Sequence, residues 1–154
     1  MVRGFVAAAL SVALGVAVAA HAQLATWDQD RVTKYAEDLV TACAGLEDSL
    51  NQIGIQNIAN ANALYQVQDT VRLLYTASRG LSGALKNGKG RDETLPRFKR
   101  IDTLRRDAEI EGRRADIPEQ VFEKVFEVGS ALILLRPYYV PAAQEARESE
   151  AVDE

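Results

Sequence analysis

Apolar or small residues recur at Val32, Ala36, Leu39, Cys43, Leu46, Leu50 and Ile53, in alternating steps of four and three. Such spacing lays a single stripe along an α-helix and predicts a coiled-coil-like seam held for three heptads. Thr26 with Gln29 has the form of a capping box at its start, and Gly54 of a stop. A second seam follows at Leu64, Val67, Val71, Leu74, Ser78, Leu81 and Leu85, ended by Asn87-Gly88. Asn57, Asn60 and Asn62 compete as its cap.

A third helix is expected over 94–115, with Phe98, Ile101, Leu104 (or the stem of Arg105) and Ala108 inward and Pro96 confined to its first turn. The fourth is expected to open at Asp116-Ile117-Pro118-Glu119 with Asp116 as cap, and to stop before Pro137. It turns Val121, Val125, Val128, Leu132 and Leu135 to the core. Phe122, Phe126, Ile133 and Leu134 widen its apolar face, so it reads as the most buried of the four. No segment sustains a period of two, and short connections make consecutive helices antiparallel neighbours. The expectation is an all-α, up-down-up-down four-helix bundle over residues 23–140. Two long hairpins sharing faces in a homodimer are the competing arrangement.

The first 22 residues read differently. Arg3 gives a positive start, 5–20 an apolar run, and Ala20-His21-Ala22 an A-x-A site, the form of a secretory signal peptide. An uncleaved anchor is the competitor, but the run is short of the roughly 20 residues a bilayer span needs. Export is the expectation, to the periplasm or else the cell exterior, with no membrane span after processing. One cysteine allows no internal disulfide, so the fold must hold by packing.

Removal of the leader changes the available chemistry. The only His (His21) and the only Met (Met1) lie in it. Haem ligated through His or Met is excluded, as are a Cys-x-x-Cys-His attachment and a Glu-x-x-His di-metal site. Imidazole or paired-thiolate zinc and copper sites fall by the same count, and no spaced Asp/Asn/Gly loop supports calcium. No cofactor or metal is expected. Gly83 to Lys89 matches G-x-x-x-x-G-K, yet Gly90 replaces the Ser/Thr and a helix precedes it, so no nucleotide is expected either.

Charge is unevenly spread about a net of −4. The stretch from Lys86 to Arg114 carries ten bases against six acids, while 141–154 carries Glu145, Glu148, Glu150, Asp153 and Glu154 against Arg147. That last segment has few large apolar residues and reads as a disordered acidic tail. The body is near neutral, which points away from nucleic acid. Several bases have acids at helical spacing, such as Glu93 with Arg97 and Asp102 with Arg106, which makes a soluble face. Lys89, Arg91, Arg97, Lys99 and Arg100 form the candidate patch for an anion or an acidic partner, and the tail is a candidate to fold back on it.

Trp27, Tyr138 and Tyr139 are the candidate aromatic contact, because the start of helix one and the end of helix four share an end of such a bundle. Rings there either plug the core or meet a partner. Cys43 lies in the first seam and reads as a small buried hydrophobe. Ser78 is the only serine in a clear seam and has no lysine one turn away, so no Ser-Lys nucleophile is evident. The expectation is a non-enzymatic interaction module that binds a protein or an anionic envelope component. The alternative is a hydrolase using a carboxylate pair or a Ser-Lys pair.

Overall fold

In the computed structural model the described residues are 24–53 and 61–141. They form four α-helices and no strand: α1 (Gln29–Asn51), α2 (Ala61–Lys86), α3 (Arg91–Ala115) and α4 (Glu119–Tyr139). The expected leader, Gly54, Asn57, Asn60 and the acidic segment after Pro141 lie outside the described residues.

The helices pack in a ring, α1 on α2, α2 on α3, and α4 on α1, with sparser packing of α4 on α3. Residue contacts fix their directions. Gln29 at the start of α1 donates to Leu85 O at the end of α2 (2.8 Å). Gln68 near the start of α2 donates to Leu50 O at the end of α1 (3.2 Å). Gly80 lies beside Arg97, and Gly112 beside Val67. Arg136 of α4 reaches Asp102 of α3 (3.2 Å). Consecutive helices therefore run antiparallel, as a four-helix bundle requires.

The first two seams enter the core as their spacing dictates. Val32, Ala36, Leu39, Cys43, Leu46 and Leu50 are buried on α1, with Leu64, Val67, Val71, Leu74, Leu81 and Leu85 on α2. A fully buried leucine contributes about 1.5–3 kcal/mol through the water it gives up. The α2 stop is a Schellman motif: Gly88 (φ 77°) donates to Leu85 O, and Lys89 N to Ala84 O (3.1 Å).

Four local expectations are corrected. The cap of α1 is Asp28, whose carboxylate accepts from Arg31 N (3.1 Å), not Thr26. Helix α3 begins at Arg91, so Pro96 stands in its second turn. Pro96 and Asp92 are both exposed, and water reaches the carbonyl that the ring fails to meet. Asp116 ends α3 instead of capping α4: it takes the left-handed conformation (φ 54°), and Ile117 N bonds to Gly112 O behind it. Aspartate is one of the few residues to tolerate that backbone. Finally, α4 continues through Pro137 to Tyr139.

The reading of α4 as the most buried helix is also corrected. Its inner seam is buried at Val121, Val128, Leu132 and Leu135, yet Phe126 is 76% exposed, Ile133 65% and Leu134 47%. Ring packing gives each helix two neighbours on one side, and the sparse α3–α4 contact leaves the outer stripe of α4 uncovered.

Candidate functional site

The structure brings Trp27, Tyr138 and Tyr139 together at one end of the bundle. Trp27 meets Tyr138 and Tyr139 edge-on, with centroids 6.3 and 5.6 Å apart, and Tyr139 stacks on Phe98 at 4.5 Å. Tyr138 and Tyr139 are only 7% and 5% exposed. The Tyr139 and Thr94 hydroxyls share a hydrogen bond of 2.9 Å, and Thr94 donates to Gly90 O as well. Burial, partly offset by that bond, raises the pKa of Tyr139. These rings fill the end of the core.

A short strap across this end holds Trp27 in place. Ala25 N donates to Pro137 O (2.7 Å), and Arg91 donates to Ala25 O while its guanidinium lies 5.4 Å over the Trp27 ring. Gln29 accepts from the indole N–H (2.8 Å) and donates to Leu85 O and Lys89 O. Gln29 thus closes a carbonyl at the end of α2 and orients the indole. Sequence spacing offers no sign of that role, since its partners are 56 and 60 residues away.

The five bases of the candidate patch fall into separate settings. Arg91 belongs to the strap. Lys89 is paired with Glu93 (3.4 Å), whose carboxylate also accepts from Gly90 N to cap α3. Arg97, Lys99 and Arg100 are exposed and make no hydrogen bond or ion pair among the described residues. Several other cations are matched: Lys86 with Glu37 (2.7 Å), Arg105 with Glu109 (2.9 Å), Arg106 with Asp102 (2.7 Å), and Arg113 with Glu109.

Arg114, near the end of α3, is also exposed and unpaired among the described residues, but Arg97, Lys99 and Arg100 share one turn. Residues advance about 100° each around a helix, so Arg97 and Arg100 stand about 60° apart and Lys99 about 100° beyond Arg100. Lys99 is about 60° from Asp102, the residue that faces α4. The three form a belt around the solvent side of α3, not a stripe along it. At the α2 end of the belt, Arg97 and Arg100 wall a groove of about 210 Å³ with Leu73, Thr76, Ala77 and Gly80. A Cβ on Gly80 would come 3.2 Å from the Arg97 guanidinium, so the missing side chain makes room for it.

A second groove, of about 280 Å³, opens where α3 and α4 diverge, between Arg105 and Glu109 on one side and Phe122, Phe126 and Ile133 on the other. Sequence reasoning assigned these apolar residues to the core, because periodicity cannot say which of two stripes faces inward.

Ser78 is buried, donating to Leu74 O (2.9 Å) and lying 3.4 Å from the Cys43 sulfur. Burial pushes the Cys43 thiol up to about 11. Among the described residues, no three His, Cys, Asp or Glu side chains converge as metal ligands would, and no helix is long and apolar enough to cross a membrane. No protein-family model matches this chain, and comparison with curated proteins and with solved structures gives no significant match.

Proposed function

We propose that this chain is an exported, non-enzymatic helical-bundle protein that binds an anionic partner, a protein or an envelope component, through Arg97, Lys99 and Arg100. One observation carries the reading: three exposed cations without counter-charges cluster on a single turn, whereas Arg79 and Arg114 stand singly and Lys86, Lys89, Arg105, Arg106 and Arg113 each have an acid. Arg97 and Arg100 are like charges three residues apart, an arrangement that costs a helix about 0.2–0.5 kcal/mol. An acidic partner would remove that cost. The groove beside them adds apolar floor at Leu73 and Ala77, which suits a partner with aliphatic as well as anionic groups. Export rests on the leader-like residues 1–22 and favours a partner in the periplasm or outside the cell.

The test is affinity capture from envelope extract, at low and high salt, with the parent chain and with Arg97→Glu, Lys99→Glu and Arg100→Glu combined. Salt-sensitive capture by the parent that is lost in the variant is the expected result. Equal capture by both removes the belt as the binding surface.

The outer face of α4 supports a second association, between two copies of this chain. Phe122, Phe126, Gly129 and Ile133 step by four, three and four, the spacing of a helix-pairing seam. A two-fold copy with its α4 antiparallel sets Phe126 against Ile133 of the second copy and small residues at the crossing. Sedimentation equilibrium should show a concentration-dependent dimer that Phe126→Glu dissociates; a parent monomer at all concentrations rejects it.

A further inference from the structure

We propose that the acidic segment 142–154 docks on the Arg97–Lys99–Arg100 turn and the α2–α3 groove, so that the chain carries a competitor for its own binding surface. The inference uses the same turn as the reading above but needs no external partner.

Position is the first argument. Helix α4 ends at Tyr139, whose hydroxyl touches Thr94 and whose ring stacks on Phe98, in the opening turns of α3. The chain therefore passes into residues 142–154 beside the start of α3. Phe98 lies within the turn that carries the three free bases.

Reach is the second. Arg100 is nine residues from the start of α3, about 14 Å along the helix at 1.5 Å per residue. Passing around the outside of a helix adds about 10 Å. Thirteen extended residues span up to about 43–47 Å. Glu148 and Glu150 are therefore the first acids able to meet the belt, and Asp153 and Glu154 have length to spare.

Charge supplies the third. Five acids against the single Arg147 face three cations that have no partner among the described residues. The belt begins on the α4 side at Lys99 and ends on the α2 side at Arg97. A segment leaving α4 meets the three bases in the order Lys99, Arg100, Arg97 and then the groove walled by Leu73 and Gly80. Linkage at the end of α4 holds the acids close to the bases, which raises their effective concentration without any strong contact. An external acidic partner then binds only as it displaces the segment.

The experiment attaches a nitroxide to Ala151→Cys in the otherwise intact chain. Cys43 is wholly buried and stays unlabelled in the folded protein. At low salt, amide signals of Leu73–Gly80 and Arg97–Arg100 should broaden while those of Leu39–Cys43 do not. Raising salt to 1 M shortens the screening length from about 10 Å at 0.1 M to about 3 Å and should restore them. Combined Arg97→Glu, Lys99→Glu and Arg100→Glu should restore them at low salt. No selective broadening, or broadening that survives the three reversals, overturns the docking. Base-dependent envelope capture without broadening overturns the docking alone. Broadening without base-dependent capture upholds the docking and overturns only the external partner.

Discussion

Cys43 occupies a position where a helix packs against its neighbour, and its thiol is neutral because charge is costly there. Burial lifts its pKa from 9.0 to about 11, against the opposing pull of the Ser78 hydroxyl. The thiolate is the reactive form, so Cys43 should resist thiol reagents at pH 8 and react only once the chain unfolds. Reaction of the folded protein at the rate of a free thiol contradicts this placement. Tyr139 shifts the same way for the same reason. A group whose folded pKa lies above its unfolded value contributes stability at low pH and loses it as the solution turns alkaline. Circular dichroism melts should therefore hold level up to about pH 9 and fall as pH approaches 11. Asp116 calls for a different test. Its left-handed backbone (φ 54°) is tolerable for Asp and poor for a β-branched residue, so Asp116→Val should cost about 1–2 kcal/mol in denaturant titration.

Among the elements, α1 and α2 were legible because each carries one unbroken apolar stripe, with only Tyr65 and Leu73 of α2 as large apolar residues exposed outside it. Helix α4 was not, because it carries two. Val121, Val128, Leu132 and Leu135 go inward, while Phe126 and Ile133, equally apolar, face solvent. The consequence is a sharp contrast: Leu132→Ala should cost about 2–5 kcal/mol, and Phe126→Ser less than about 0.5 kcal/mol in a monomer. Comparable losses at both positions would mean that α4 is turned on its axis. Helix ends were also obscured. Pro96 and Pro137 lie inside helices because their missing hydrogen bonds fall near the termini, at exposed positions, where the sequence suggests breaks. The α3–α4 seam gains a cross-link that spacing cannot reveal, Asp102 to Arg136, with both side chains largely shielded from solvent. Asp102→Ala should lower stability by about 1–2 kcal/mol, since Arg136 would lose its partner.

At the scale of the whole molecule, the end of the bundle with its aromatic cluster was partly legible. Antiparallel order puts Trp27, Tyr138 and Tyr139 at one end, but only the strap from Ala25 to Pro137 decides that the rings are enclosed. Charge counting found the basic stretch but could not say which bases find carboxylates. Four of the six acids there (Glu93, Asp102, Glu109 and Glu111) point where packing already needs them or half-bury themselves, and three bases on one turn remain unmatched.

The charge on that turn is decisive only if its position matters more than its sum. The most direct measurement compares capture of envelope partners by two variants with equal net charge. One reverses Arg97, Lys99 and Arg100 to Glu; the other reverses Lys34, Arg72 and Arg113, which are exposed but already paired with Asp38, Asp69 and Glu109. The first should lose capture and the second retain it. Equal loss in both would reduce the interaction to overall charge, and retention in both would place binding elsewhere on the protein.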